Sequence, residues 1–243
     1  MTTSPAVEAR PAEQWSAGER QLSRWGGAAG LAGFAMLLGS VVVVVSMGLP
    51  DASDLETLTD FADIESGRIA EHFFYLSALM LFALHISALH RLLRAGHPPA
   101  ALFGTVVATT GLGIMAASSL LHVSTAPLAD LYTASDTPAE DQPAIEYAWH
   151  GAQSVFDTML VTGVLLVPIG IVLLGVAMRR TPAFGTNIAA FSIVVGIAGT
   201  LGAAIEVVDT TSDASAAAVL AIAVFHLVVG WRTLRCGREA TPT

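Results

Sequence analysis

Residues 158–180 read TMLVTGVLLVPIGIVLLGVAMRR, a run of 21 residues without a charge that ends on two consecutive arginines. A helix of that length reaches ~30 Å, the thickness of a bilayer's hydrocarbon core, so the run reads as a membrane span. Five further segments of about the same length can be marked off around it. They run from about Gly27 to Leu49, Ile69 to Leu89, Ala101 to Leu121, Ile188 to Val207 and Ala214 to Trp231. Composition agrees, since 53% of the 243 residues are hydrophobic and only 13% are charged. A soluble domain carries about 25% charged residues, so this chain has too few to cover a wet surface. The expected fold is an all-α polytopic membrane protein, six transmembrane helices in one bundle. Residues 26–236 form the membrane domain, between polar tails at 1–25 and 237–243.

Arginine placement orients that bundle. Arg10, Arg20 and Arg24 precede the first span, Arg91 and Arg94 follow the second, and Arg179 and Arg180 follow the fourth. Arg232, Arg235 and Arg238 follow the sixth, and only Arg68 falls on the opposite face. Basic residues mark the cytoplasmic side, which predicts a multi-pass protein of a prokaryotic cytoplasmic membrane with both termini inside. The other face is acidic: Asp51, Asp54, Glu56, Asp60, Asp63 and Glu65 in one loop, Asp130, Asp136, Glu140 and Asp141 in the next, Asp209 and Asp213 in the last. The stretch from Val123 to Ile145, with Pro127, Pro138 and Pro143, is the longest external connection.

Several chemistries are excluded. All 11 basic residues are arginines, so no lysine is present to form a Schiff base or to serve a phosphate-binding loop. Cys236 is the single cysteine, which rules out an intrachain disulfide and a multi-thiolate metal site. A net charge of −9 argues against nucleic acid as a partner. The bilayer itself is the expected partner. Gly26, Gly30 and Gly33 on span one and Gly196, Gly199 and Gly202 on span five mark close helix contacts, within the chain, with a second copy or with another membrane protein.

Ionisable groups at membrane depth are costly and are where function is sought. Counted from the inner arginines, Glu71 and His72 lie at the outer end of span two and His122 at that of span three. Asp157 opens the apolar part of span four, and Glu206 and Asp209 close span five. Glu146, His150, Gln153 and Asp157 are spaced by four, three and four residues and fall within an arc of about 60° on one helix. His72, His122, His150 and Asp157 form a candidate set of nitrogen and oxygen ligands for zinc or another divalent transition metal. Glu146 and Asp157 are the candidate catalytic carboxylates, and Glu71, Gln153 and Ser118 are candidates to support the ligands. A zinc-bound water would then be a hydrolytic nucleophile. The same residues also read as hydrated interfacial anchors or as a metal-free proton or ligand site.

His85 and His226 each precede an inner arginine, Arg91 and Arg232, by six residues, and so share one depth. They read as inter-helix hydrogen-bonding groups for Ser, Thr or backbone or, alternatively, as the axial ligands of a b-type haem. His72 and His85 lie about 140° apart around their helix, which argues against two stacked haems on one face. Pro168 is placed to kink span four. Trp25, Trp149 and Trp231 read as interfacial anchors.

In span layout, and in the Gly/Ala-rich style of residues 151–205, the chain resembles functionally uncharacterised six-span prokaryotic membrane families. It is more faintly similar to membrane zinc hydrolases of the alkaline ceramidase and adiponectin-receptor type. Their Ser-x-x-x-His element is matched by Ser118 and His122, and their helix aspartate by Asp157. They also carry a His-x-x-x-His pair on a late helix, where this chain has His226 alone, and they generally have seven spans. The best reading of function is an outward-facing metal site supporting hydrolysis. The alternatives are a small-solute or ion transporter or channel, and a non-enzymatic accessory subunit.

Overall fold

The computed structural model describes residues 15–50, 58–208 and 214–239, and among these there is no β-strand. Seven helices follow in chain order: α1 (Ala17–Met47), α2 (Leu58–Leu93), α3 (Pro98–Val123), α4 (Ala126–Thr133), α5 (Gln142–Met178), α6 (Gly185–Val208) and α7 (Ser215–Glu239). Six are long and apolar enough to cross a membrane. The exception is α4, which turns part of the expected long connection into a single short helix. Arg10, Asp51, Asp54, Glu56, Asp209 and Asp213 lie outside the described residues.

The helices extend further than the apolar runs alone indicate. Ser16 caps α1 through a reciprocal capping box with Glu19, so the chain is helical from Ala17, ahead of the apolar run. The C-terminal helix likewise runs on to Glu239. At 37 residues α5 is ~55 Å long and runs unbroken through Pro168, well beyond the hydrocarbon at one end.

The six long helices pack as a closed ring in chain order, with α7 returning to α1. Ser23 Oγ donates to Thr233 O and Arg24 Nε to Gly237 O at 2.9 Å, which brings the start of α1 beside the end of α7. The turn between α5 and α6 is tied to the same end, because Arg232 Nε donates to Ala183 O at 3.0 Å. Gly96, between α2 and α3, packs against Arg180 and Thr181. The arginine clusters thus gather at one end of the bundle, as their register predicts. Large apolar side chains such as Val45, Phe73, Met80, Phe103 and Val194 point outward, where lipid would surround them.

Small residues set the spacing. Without a hydrophobic driving force between helices in lipid, association depends on close backbone packing. The most extensive helix–helix contact is between α3 and α5. A Cβ on Gly163 would lie 2.4 Å from Met115 Cγ and 2.8 Å from Gly111 O, and one on Gly170 would lie 2.6 Å from Ala108 N. Gly104, Gly111, Gly163 and Gly170 therefore form a seam that the sequence reading did not single out. The glycines it did single out are used within the bundle: Gly26 meets Ala88, Gly33 meets Phe82, Gly196 meets Pro168 O, and Gly202 meets Ala214 O.

Gly163→Ala is expected to lower thermal stability in detergent, by about 1–3 kcal/mol as an overpacked contact. A Cβ at Gly113, in the same seam's helix, would meet nothing within 4 Å. Gly113→Ala should leave the melting temperature unchanged or raise it slightly.

Candidate functional site

Two buried groups of imidazoles occupy different depths of the ring. Nearer the acidic end, His72 of α2 and His122 of α3 stack with ring centroids 4.8 Å apart. His72 Nδ1 shares a hydrogen bond with Ser119 Oγ at 2.8 Å. Phe156 lies 4.6 Å from the His122 ring and Phe61 meets it edge-on at 5.4 Å. Gln153 of α5 stands against His122, although neither ring nitrogen of His122 makes a hydrogen bond of good geometry.

Arg68 supplies charge to this cluster. It is 1% exposed, pairs with Glu71 Oε2 at 2.7 Å, and donates from Nη2 to the backbone carbonyl of Pro50. One guanidinium therefore fastens the exit of α1 to α2 and acts electrostatically on both His72 and His122. A buried arginine persists only when paired and hydrogen-bonded, and here Glu71 takes Nη1 and Pro50 takes Nη2, while Nε makes no hydrogen bond of good geometry. The sequence reading set Arg68 aside as a lone exception on the acidic face. Its signal was Glu71 three residues on, one turn along the same helix face. Above the cluster, Leu58, Phe61, Ala126, Ala129, Ile145 and Trp149 form a separate apolar cap from α2, α4 and α5. Trp149 is fully buried there, not at an interface, whereas Trp25 and Trp231 are exposed as expected.

The four expected metal ligands do not come together. Among the described residues no group of three or more His, Cys, Asp or Glu is placed to hold one ion. The reason is the orientation of α5. Its buried seam runs through Ile145, Trp149, Phe156, Gly163 and Val167. By helical angle, Gln153 lies about 60° from that seam, Glu146 about 80°, Asp157 about 100° and His150 about 120°. Burial follows the same order: Gln153 is buried, Glu146 and Asp157 are half-buried, and His150 is exposed. The stripe runs along the edge of the seam, so His150 faces away from His72 and His122. Glu146 and Asp157 are separated by ~16 Å along the helix and cannot share one proton-transfer step. Ser118 also turns away, donating to Met115 O of its own helix at 2.8 Å, and its neighbour Ser119 is the serine that meets a histidine.

Deeper in the ring, His85 of α2 and His226 of α7 meet, with Nδ1 to Nδ1 at 2.8 Å. One Nδ1–H donates and the other nitrogen accepts, so the two rings carry different proton assignments at Nδ1. Phe82 stacks on His226 at 3.8 Å. Gly30 of α1 makes room for the pair, because a Cβ there would lie 2.8 Å from His85 Nδ1. An iron held between two imidazoles needs its donor nitrogens about 4 Å apart, twice a metal–nitrogen bond of ~2 Å. The haem alternative also needs a macrocycle between rings whose centroids are only 5.0 Å apart. The geometry is that of an inter-helix hydrogen bond, and a haem does not fit between these rings.

A model of the DUF4386 family, a domain of unknown function, matches residues 26–232. The chain belongs to this family. The match spans most of the ring and takes in both histidine pairs. No curated protein and no solved structure matches the chain.

Removal of either partner of the inner pair leaves the other imidazole without its hydrogen bond. His85→Ala and His226→Ala should each destabilise the purified protein, and the double variant should cost less than their sum. Coupling of about 0.6–2 kcal/mol is expected from unfolding in mixed micelles, the range of polar inter-helix contacts in bilayers.

Proposed function

We propose that the chain is a multi-pass protein of a prokaryotic cytoplasmic membrane, with its arginine-rich end in the cytoplasm. We further propose that it binds a small polar solute at the buried His72–His122 cluster near the opposite end. The orientation rests on the excess of arginine at the end shared by the start of α1 and the end of α7. A reporter test is direct: alkaline phosphatase fused after Thr243 should be inactive and a fluorescent protein there bright. The reverse pattern would invert the bundle.

One observation carries the binding reading. His72 Nε2, His122 Nδ1 and His122 Nε2 are buried without a hydrogen bond of good geometry, with Gln153 beside His122. An unsatisfied buried polar group costs about 1–3 kcal/mol, a cost that a bound polar molecule would remove. Arg68, Gln153 and Ser119 surround these nitrogens with further donors and acceptors. A solute bearing two or three polar atoms would complete the set, and the cap containing Phe61 and Trp149 would separate it from water. This favours a binding or transport protein over a hydrolase. A zinc reading keeps His72 and His122 as donors but requires Asp157 to swing in as a third.

Thermal-shift measurements on detergent-purified protein against amino acids, carboxylates, ammonium ions, inorganic phosphate and zinc chloride test this. A solute present at 100 times its Kd stabilises by about 2.7 kcal/mol. At least one polar solute is expected to raise the melting temperature of the wild type and of His150→Ala, but not that of His72→Ala or His122→Ala. A panel without effect, or one that stabilises all four proteins alike, would overturn the proposal. A response confined to zinc would restore the metal reading.

A further inference from the structure

At the arginine-rich end, on the outer side of the contact between α1 and α7, lies a groove of about 880 Å³. Its walls include Arg20, Arg24, Trp25 and Ala28 of α1 with Leu234 and Arg238 of α7, and none of the described side chains lining it is acidic. We propose that this groove binds the phosphodiester headgroup of an anionic phospholipid from the adjoining leaflet.

The order of residues along both walls carries the inference. On α1, Arg20, Arg24 and Ala28 follow one another at four-residue steps and so line one face, passing from charged to apolar over ~12 Å toward the bilayer centre. On α7, Arg238 and Leu234 are also four residues apart and pass from charged to apolar in the same direction. Trp25, 69% exposed, stands where the two characters meet. Tryptophan prefers that depth because its ring is apolar and its N–H is polar. A free phosphate would use the arginines alone. A phospholipid uses the whole gradient, with its phosphate between guanidinium groups and its glycerol and first methylenes against Trp25, Ala28 and Leu234. Basic pockets between helices at the cytoplasmic face are the general setting for such recognition.

Two of the guanidinium groups are held before any lipid arrives. Arg24 donates through Nε to Gly237 O at 2.9 Å, and Arg20 donates through Nη1 to Trp15 O. A side chain already oriented loses less rotamer freedom on binding. The acidic neighbour of Arg20 on α1 is engaged with the helix start: Glu19 accepts from Ser16 N at 2.8 Å and lies within electrostatic reach of Arg91 and Arg94 of α2.

The test is native mass spectrometry of delipidated, full-length protein titrated with dioleoyl phosphatidylglycerol or dioleoyl phosphatidylcholine, with inorganic phosphate as competitor. Wild type should hold phosphatidylglycerol at least ten-fold more tightly than phosphatidylcholine. Arg238→Gln should reduce that preference about five-fold, which corresponds to about 1 kcal/mol for one arginine near a charged membrane surface. The triple variant Arg20→Gln/Arg24→Gln/Arg238→Gln should abolish it. Because Arg20 and Arg24 also hold backbone carbonyls, the single Arg238→Gln variant decides the matter if the triple variant does not fold. Equal binding of the two lipids, or an unchanged preference in folded Arg238→Gln, would overturn the proposal. Displacement of phosphatidylglycerol by equimolar inorganic phosphate would overturn it in favour of a free-anion site.

Discussion

The contact between α3 and α5 is the constraint on which the rest of the bundle depends. In a bilayer, leucine gains nothing by leaving lipid for a neighbouring helix, so only shape and polar contacts favour association. Gly104, Gly111, Gly163 and Gly170 meet this condition by removing side chains where the two backbones cross. Dispersion between closely packed backbones then replaces the contacts each helix would have made with acyl chains. The same device recurs at α1 with α2 and α7, and at α6 with α5 and α7, which allows six helices to close as a ring.

A ring packed on small residues leaves little interior volume, and the polar side chains inside it fall into separate layers. His85 and His226 use Gly30 as their recess and are joined to each other, as befits a structural pair. Both pairs keep buried Nε2 atoms outside hydrogen bonds of good geometry, and His122 adds its Nδ1. The two pairs differ in their partners: the inner rings bond each other, whereas His72 bonds Ser119 and His122 has Gln153 beside it, close to the charge of Arg68.

Some of the site was legible beforehand. Equal distances from Arg91 and Arg232 put His85 and His226 at one depth, and the two do meet. The angle of about 140° between His72 and His85 placed them on different sides of α2, and they face α3 and α7 respectively. The stripe from Glu146 to Asp157 fixes a helix face but not its direction, because four polar residues within 60° of arc need not point inward. The seam of α5 lies to one side of that stripe, defined by Trp149 and Phe156, so the arc straddles the boundary between buried and exposed. Ser119 was passed over for Ser118 because a motif spacing carries no information about which way a hydroxyl turns.

By itself the sequence determined that the chain is helical, how many times it can cross a membrane, and which loops share an end. Those properties follow from the length of apolar runs and the placement of charge, both of which are linear in the chain. Rotation of each helix about its own axis was decided only by the tertiary structure. A helix that is apolar on every side has no stripe to mark its inner face, and in lipid both faces are equally well solvated. Close fit between particular glycines and particular neighbours selects one rotation. That rotation brings His122 against His72, leaves His150 outside and lines the groove with Arg20, Arg24 and Arg238.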